Sequence, residues 1–379
     1  MKRVLILGGG FGGIAAAHRL KQKLGNEVEV ILVDRRPYFM VGFRKSWALV
    51  GESPLEEGQR PIGSLSKIGV DVRRATIDAI HPQEKAATIN GERIQVDALI
   101  VALGSELFPQ AVEGFKEHAF NVYDPEDIPR AEKAVAEFKG GRVVIGIFGA
   151  PYKCSPAPYE MAILLNEKFK ARGVKATLEV FSPQPKSLPI LEQESCDSFE
   201  SRLEEHAIKF HPNLKAKSIE AGKVIFDNKQ IEYDLLLGVP PHKAPTILKD
   251  SGLLGASGWI EINPRTTETS FEGVYAVGDV TQVILANKKP LPKAGLFAEL
   301  MGETAAERIA SVFSGETPEA TFSGEGGCYL EVGNGQALMV KGSFLAEPEP
   351  IVSLTPSSKQ YFNEKIKFET DRLEKWFGE

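Results

Sequence analysis

The length, composition and charge of the chain exclude several classes of protein. With 379 residues it is too long for one ordinary hydrophobic core, so two or three domains are expected. Charged residues make up 25% of the chain, and its net charge of -6 offers no general attraction for nucleic acid. No apolar run is long enough to span a membrane, and a core strand that starts at residue 2 leaves no room for a signal peptide. We therefore expect a protein that is cytoplasmic or peripheral at the cell membrane.

The three cysteines of the chain are too few and too scattered for a disulfide scaffold or a zinc site. They stand at positions 154, 196 and 328. No metal site is expected. If these thiols have a function, it depends on their reactivity.

The N-terminal residues have the pattern of a dinucleotide-binding βαβ unit. The apolar run 2–7 predicts a strand, glycines dominate 8–13, and the Ala-rich residues 14–24 predict a helix. A second strand is predicted over 28–33, and the acid that follows it, Asp34, is placed to bind a ribose hydroxyl. Together these features predict an FAD-binding oxidoreductase.

The glycines of this turn have separate roles. Gly8 allows the tight turn, Gly10 lets the backbone approach the pyrophosphate, and Gly13 lets helix and strand pack closely. The N-terminus of the helix then faces the phosphates. In this unit, the residues expected to contact the cofactor are Gly8, Gly10, Phe11, Gly12, Gly13, Asp34 and Arg35.

Further strands and turns follow in chain order. Residues 35–60 hold aromatic side chains among glycines and prolines, which suits a loop or short helices over a cofactor. Four short strands over 70–96 predict a β-meander with a tight hairpin at Asn90-Gly91. A buried strand is predicted over 97–103.

A second α/β unit begins at Arg142, continues through a helix over 158–171, and ends at the turn 238–241. A late strand, 274–277, then returns to the first unit. We therefore predict an α/β fold of two Rossmann-like domains, the second inserted in the first, plus a small C-terminal region. The predicted boundaries are 1–110 with 238–318 for the split FAD-binding domain, 111–237 for the second domain, and 319–379 for the C-terminal interface region.

Three segments together carry a family resemblance. The fingerprint over 8–34, the turn Ala102-Leu103-Gly104 and the late Gly278-Asp279 resemble the two-dinucleotide-domain flavoproteins. This is the FAD-dependent pyridine nucleotide-disulfide oxidoreductase superfamily, which includes glutathione reductase. The resemblance implies that FAD is the cofactor and that Asp279 binds its ribityl or phosphate region. It adds Ala102, Gly104 and Gly278 to the expected cofactor contacts.

The segment 149–160 stands where a second glycine fingerprint would bind NAD(P)H, and it carries three prolines instead. Proline has no N–H to offer a phosphate, so this domain is not expected to bind a nicotinamide cofactor. Cys154 takes that place. We expect it at the start of a helix, where the dipole and the unpaired N–H groups favour a thiolate.

The segment 326–335 resembles the part of sulfide:quinone oxidoreductases, and of the flavoprotein subunit of flavocytochrome c sulfide dehydrogenase, that carries a redox cysteine. The resemblance implies that Cys154 and Cys328 meet at the flavin as a disulfide or polysulfide bridge. Many of these quinone enzymes have a third cysteine where this chain has none, between 105 and 153. Flavocytochrome c holds FAD through a cysteine that 38–43 lacks, so non-covalent FAD is expected. Cys196 fits no motif and is expected to be a surface or packing residue.

Four further residues are candidates for roles at this site. Lys293 resembles the family's Pro-Lys turn and would stabilise negative charge on reduced flavin, although a solvated lysine is an alternative. Glu160 would exchange a proton with the thiols, or else be a cap or surface residue. His242 is a weaker acid-base candidate and is expected instead to face solvent. Met301 replaces the glutamine of the Ala-x-x-Gln-Gly motif of type II NADH dehydrogenases, which argues against their quinone site.

The C-terminal segment 361–377 combines aromatic and charged residues at roughly helical spacing. Such a helix would lie on a membrane, giving peripheral membrane contact, or pack on a partner subunit. From 359 to 379 five basic residues face five acids, without the cationic excess of a membrane-surface helix. A homodimer is expected.

The resemblance implies FAD-dependent oxidation of sulfide, or a related sulfur species, through a catalytic Cys154/Cys328 pair. Hydrosulfide would open the bridge by thiol–disulfide exchange. Electrons would then pass through FAD to a quinone or cytochrome acceptor. Two alternatives remain open, an NADH-oxidising flavoenzyme and a redox-sensing flavoprotein that turns over no sulfide.

Overall fold

The computed structural model describes residues 1–378, in which parallel sheets and helices form a mixed α/β fold. The predicted helices after the glycine turn, after Cys154, after Lys293 and at the C-terminus are all present. Their bounds lie within about three residues of the expected ones. The helices are α1 (Phe11–Leu24), α2 (Arg44–Leu49), α3 (Phe115–His118), α4 (Ile128–Glu137), α5 (Ala157–Ala171), α6 (Gln193–Glu205), α7 (Gly295–Phe313) and α8 (Lys359–Phe377).

The strands fall into three stretches of the chain. The first ten are β1 (Lys2–Leu7), β2 (Val28–Asp34), β3 (Tyr38–Phe39), β4 (Arg60–Pro61), β5 (Val70–Arg74), β6 (Ile77–His81), β7 (Ala86–Ile89), β8 (Glu92–Gln95), β9 (Ala98–Val101) and β10 (Glu106–Leu107). The next nine are β11 (Phe120–Asn121), β12 (Gly141–Ile147), β13 (Ala176–Phe181), β14 (Ile208–His211), β15 (Ser218–Glu220), β16 (Lys223–Ile225), β17 (Gln230–Glu232), β18 (Leu235–Val239) and β19 (His242–Lys243). The last six are β20 (Ile260–Glu261), β21 (Val274–Ala276), β22 (Thr281–Gln282), β23 (Glu325–Glu331), β24 (Ala337–Ser343) and β25 (Ile351–Leu354).

The first parallel sheet has the strand order β21-β9-β1-β2-β5. The central parts of β1, β2 and β9 are apolar because both faces of the sheet are covered, by α1 and α7 on one side and by the meander β6-β7-β8 on the other. The late strand β21 pairs with β9, so the chain returns to this sheet after building the second one. The carboxyl ends of β1, β9 and β21 therefore share one edge.

One strand of the predicted meander belongs elsewhere. The strand β5 pairs in parallel with β2, and only the three strands after it form the antiparallel meander. The predicted hairpin is confirmed, since Asn90 and Gly91 both have positive φ, 47° and 81°, between β7 and β8.

The second parallel sheet has the order β11-β18-β12-β13-β14, and its strands come entirely from residues 120–239. The helix α5 packs on this sheet with its apolar side chains buried. The domain boundaries near 110, 238 and 318 stay a prediction.

The C-terminal region consists of the antiparallel sheet β23-β24-β25 and the helix α8. The apolar face of α8 packs on its own chain, with Leu373, Trp376 and Phe377 buried and the Trp376 ring 5.7 Å from that of Phe11. These three side chains are covered within the chain, whereas Ile366 of the same helix is 38% exposed. Peripheral membrane contact, packing on a partner subunit and a homodimer stay predictions. Among residues 1–378, no helix combines the length and the apolarity needed to cross a membrane.

Candidate active site

The glycine turn leaves open space at the N-terminus of α1. Gly8 has a φ of +111°, and a Cβ on Gly13 would overlap the carbonyl oxygen of Gly8. A Cβ on Gly10 would meet no atom within 4 Å. Gly8 and Gly13 thus shape the turn, and Gly10 borders a space toward which the free N–H groups of α1 point. This arrangement fits a pyrophosphate.

Of the other residues predicted around this turn, some contact the protein and others are exposed. The Asp34 carboxylate accepts hydrogen bonds from the backbone N–H of Gly9 and of Arg36, each at 2.7 Å. Arg35 is exposed. A Cβ on Gly12 would lie 2.8 Å from Val277, so Gly12 faces the protein. Phe11 packs edge-on against Phe39, with ring centres 5.1 Å apart.

The carboxyl ends of β9 and β21 supply a second group of predicted contacts. Gly104 has a φ of +65° and no atom within 4 Å of a Cβ position, whereas Ala102 is buried. Gly278 has a φ of +75°, and burial raises the pKa of Asp279 despite nearby lysines. Ligands of α/β sheets bind at such strand ends, so these residues and the glycine turn, which share one edge of the first sheet, fit an FAD site.

Cys154 lies in the loop between β12 and α5, with its backbone held at three points. It has a φ of +53°, its N–H donates to the Lys293 carbonyl at 2.9 Å, and its own carbonyl accepts from the Tyr123 hydroxyl at 2.9 Å and from the Ala157 N–H at 3.0 Å. The helix begins only at Ala157. Burial, with a contribution from Glu160, raises the pKa of the Cys154 thiol to about 11. The expectation of a helix-stabilised thiolate is therefore wrong.

Cys328 reaches the same site from the C-terminal sheet, where it pairs with Val340 on β24. Burial raises its pKa well above the usual range, and the nearby Cys154 raises it further. Both cysteines are free thiols, as is Cys196. Cys196 is fully buried and its thiol donates to the Leu188 carbonyl at 3.1 Å, which makes it a packing residue.

Glu160 belongs to a buried ion cluster rather than to the surface. The Lys365 ammonium contacts the carboxylates of Glu160 at 2.8 Å and Glu331 at 2.6 Å. The indole N–H of Trp47 also donates to Glu331, at 2.6 Å. One carboxylate oxygen of Glu160 has no partner in the described chain, and burial raises the pKa of Glu160. The cluster therefore has a buried carboxyl group able to hold a proton close to Cys154.

Lys293 is buried next to the predicted flavin contacts. Its ammonium donates to the carbonyls of Asp279 at 2.6 Å and Thr281 at 3.0 Å, and lies 3.5 Å from the centre of the Trp259 ring. Burial lowers its pKa to about 8, although Asp279 opposes the shift. The alternative of a solvated lysine is excluded. Met301 is buried too, and its sulfur accepts from the Gly278 N–H at 3.4 Å.

The sequence model of the family "Pyridine nucleotide-disulphide oxidoreductase" matches residues 2–296. The chain belongs to this family. As a family member it is an FAD-dependent oxidoreductase, which agrees with the open glycine turn and the strand ends described above. The predictions of fold class and cofactor are confirmed.

The relatives of this pyridine nucleotide-disulphide oxidoreductase include enzymes named for two different electron donors, sulfide and NADH. The mouse mitochondrial sulfide:quinone oxidoreductase is 23% identical over 363 residues, covering 91% of this chain and 79% of the relative. The type II NADH:quinone oxidoreductase of Staphylococcus aureus is 25% identical over 343 residues, covering 84% of each. The X-ray structure of the sulfide:quinone oxidoreductase from Aquifex aeolicus superimposes with a TM-score of 0.89, at 23% identity, over all of this chain and 92% of that one.

Three residues of this family member at the Cys154 site did not stand out in the sequence or were misjudged. Lys45 and Lys153 were given no role from the sequence, and His242 was expected to face solvent. In the structure Lys45 and His242 are buried, and charged groups in the region of Cys154 shift the pKa values of all three residues. Only tertiary packing shows this, because the local sequence around each residue is polar or turn-like.

Proposed function

We propose that the chain oxidises sulfide through Cys154 and Cys328 and passes the electrons by way of FAD to a quinone. The observation that carries the proposal is the presence of two thiols, from separate parts of the chain, in one partly buried site beside Lys293 and Asp279. The mouse relative, named for sulfide and quinone, supports the choice of substrates.

The two cysteines would act as a disulfide in the oxidised enzyme. Hydrosulfide attacks one sulfur of the bridge, so the Cys–Cys bond breaks and a new S–S bond forms. One cysteine becomes a persulfide and the other leaves as a thiolate that carries the electron pair. A second hydrosulfide would take up the outer persulfide sulfur, at zero oxidation state, as a polysulfide, which leaves both cysteines as thiols. Re-forming the Cys–Cys bond would then release two electrons to bound FAD, which completes the two-electron oxidation of sulfide.

Neighbouring residues would control protons and charge during this exchange. Glu160 would take the proton released from hydrosulfide, because its buried carboxyl has a raised pKa and an unpartnered oxygen. Lys293 would place positive charge beside the bound cofactor. Bound FAD supplies two-electron transfer between the dithiol and the acceptor.

Anaerobic titration with sulfide tests the proposal through the flavin absorbance. The wild-type flavin should be reduced, and a quinone added afterwards should reoxidise it. Cys154→Ser and Cys328→Ser should each slow reduction by at least about 100-fold, the range expected for losing a group that reacts covalently. Cys196→Ser is the matched control and should behave as wild type, since that thiol only packs. A wild-type flavin that stays oxidised would disprove the proposal.

A second candidate function is oxidation of NADH, which the Staphylococcus aureus relative favours. The loop before α5 opposes it, because Pro151 and Pro156 offer no N–H to a dinucleotide phosphate. Rapid bleaching of the wild-type flavin by NADH, unaffected by Cys154→Ser, would favour this candidate over sulfide oxidation.

A further inference from the structure

We propose that Lys45, Lys153 and His242 form a binding site for a small, singly protonated anion beside Cys154, and that its ligand is hydrosulfide. This inference rests on the proposed function, because it names the form in which sulfide would be held before it reaches the cysteines. It assigns binding roles to three side chains that do not themselves react.

The charge of Lys45 is buried without a counterion. Its side chain comes from α2 and the residue is only 8% exposed. Its ammonium donates one hydrogen bond, to the Gly42 carbonyl at 2.7 Å, and has no carboxylate within 4.0 Å among residues 1–378. A buried ammonium is normally paired, so Lys45 has unused capacity to bind an anion.

Lys365 shows the contrasting arrangement in the same protein. It is fully buried as well, but two carboxylates, those of Glu160 and Glu331, contact its ammonium. The Lys365 ammonium is thus neutralised by side chains of the protein, and the Lys45 ammonium is not.

Lys153 adds a second positive charge directly before Cys154. Its backbone forms a β-bridge with Lys293, and within the described residues its ammonium has neither a hydrogen bond nor an ion pair. Burial lowers the pKa of Lys153, with Asp279 and Asp124 opposing this and Arg36 adding to it. Lys293 also lies near Asp279, so this one carboxylate is shared by two lysines.

His242 provides a hydrogen-bond acceptor. Its Nδ1–H donates to the Pro240 carbonyl at 2.9 Å, which leaves the lone pair on Nε2, and Nε2 has no partner in the described chain. The residue is 9% exposed, and burial, together with Lys153, lowers its pKa to about 3, so the ring stays neutral. The ring lies 5.6 Å from that of Tyr123, whose hydroxyl donates to the Cys154 carbonyl at 2.9 Å.

These groups define the chemistry of the ligand. Two ammonium groups bind negative charge, and one neutral imidazole accepts a hydrogen bond. The ligand must therefore be an anion that still carries one acidic hydrogen. Hydrosulfide meets both conditions and is small, whereas azide has the charge without the hydrogen.

Binding of such an anion should be linked to protonation of Lys45. Burial and the charge of Lys153 lower the pKa of Lys45 to about 7, and Arg36 acts in the same direction, while Cys154 and Asp124 oppose it. A bound anion favours the ammonium form. Above pH 7 hydrosulfide binding should therefore take up protons, and Lys45→Met should reduce that uptake.

Calorimetry on FAD-loaded Cys154→Ser/Cys328→Ser protein tests the site without exchange chemistry. Sodium hydrosulfide is titrated anaerobically at pH 8 in buffers of different ionisation enthalpy, which also gives the proton uptake. Adding Lys45→Met should weaken binding at least tenfold, and Lys45→Arg should weaken it less. Lys243→Met, which removes a surface lysine paired with Glu106, is the control for net charge and should bind as the parent does.

The acceptor role has its own readout. His242→Leu should weaken hydrosulfide binding several-fold and leave azide binding unchanged, since azide donates no hydrogen.

Equal hydrosulfide affinity in the Lys45→Met and parent proteins would overturn the anion site. If the parent binds hydrosulfide through Lys45 but the wild-type flavin is not reduced by sulfide, the site stands and the proposed function fails. A further variant carries Lys45→Met and keeps both native cysteines. If sulfide reduces its flavin with an unchanged dependence on sulfide concentration, the proposed function stands and the anion site fails.

Discussion

At the scale of single residues, the Lys365 ammonium contacts side chains from three separate parts of the chain. Burial acts to lower the pKa of this lysine, but the carboxylates of Glu160 and Glu331 outweigh it and raise the pKa. The same ammonium also lies 4.9 Å from the Phe43 ring and 5.1 Å from the Trp47 ring. Removing it would leave two buried carboxylates with no counterion.

Lys365→Met should destabilise the protein by about 3–5 kcal/mol at neutral pH, the usual effect of removing one partner of a buried ion pair. The pKa of Glu160 is already raised by burial, and without Lys365 it would rise further. A carboxyl whose folded pKa is raised loses stability as pH rises through that pKa. The deficit should therefore shrink as pH falls toward about 4.5, the ordinary value for Glu160.

Urea denaturation of both proteins between pH 4.5 and 8 measures this difference. Lys375→Met is the matched control on the same helix, because Lys375 is 45% exposed and its buried partner Glu299 keeps an ion pair with Arg372. It should cost less than about 1 kcal/mol at every pH. A pH-independent deficit in Lys365→Met would contradict the charge argument.

The sequence predicted some residues of the candidate site and not others. Cys154 and Cys328 stood out because each lies in its own motif. In the structure Cys154 lies near enough to Cys328 to raise the pKa of its thiol, and their pairing as a bridge stays a prediction. The raised thiol pKa of Cys154 was not predictable, since it depends on burial by distant segments. Lys45 was not recognised for the same reason, because nothing in its local sequence distinguishes a buried lysine from a surface one.

At the scale of elements, Gly10 and Gly13 in the turn between β1 and α1 are needed for different reasons. Gly13 packs against backbone, and Gly10 borders open space. Gly10 has φ −92° and ψ −165°, an extended conformation that alanine also adopts. Its role can therefore be separated from folding.

Gly10→Ala should leave the melting temperature of the apoprotein unchanged but weaken FAD binding, because its methyl group would enter the pyrophosphate space. Gly13→Ala should lower the stability of the apoprotein by about 1–3 kcal/mol as well as FAD content, because its Cβ would overlap the Gly8 carbonyl. Differential scanning calorimetry and flavin absorbance after desalting measure both properties. Gly63→Ala, where a Cβ meets no atom within 4 Å, is the control and should change neither. Equal melting temperatures for Gly10→Ala and Gly13→Ala would contradict this division of roles.

Prediction of the elements succeeded where the pattern is local and failed where pairing is distant. The strands β1 and β2, the helix between them and the hairpin at 90–91 follow from hydrophobic periodicity and turn chemistry. The strand β5 was assigned to the meander because it stands beside β6 in sequence, yet it pairs in parallel with β2. A strand pairs with whichever sheet edge is still unpaired in the folded protein. The sequence of one segment does not show which edge that is.

At the scale of the whole molecule, the candidate site is assembled from all three parts of the chain. The second sheet contributes Cys154, the C-terminal sheet contributes Cys328, and the strands returning to the first sheet lead to Lys293. The C-terminal region also covers the first domain with Phe322, Trp376 and Phe377, all buried. Its expected role as an interface region stays a prediction.

A chain that ends at residue 318 should therefore fail to fold, not merely lose one thiol. Each large buried side chain removed from a core is worth about 3–5 kcal/mol, so the loss of Phe322, Trp376 and Phe377 alone approaches the total stability of about 5–15 kcal/mol of a typical domain. The truncation also leaves Arg44 without its buried partner Glu369 and Glu160 without Lys365. Soluble yield, circular dichroism and FAD content of the 1–318 chain measure the effect. Full-length Cys328→Ser is the control, since it lacks the thiol but keeps the packing, and it should retain both FAD and the wild-type melting temperature. A soluble 1–318 chain that binds FAD and melts as the full-length protein does would show that the C-terminal region contributes chemistry without stability.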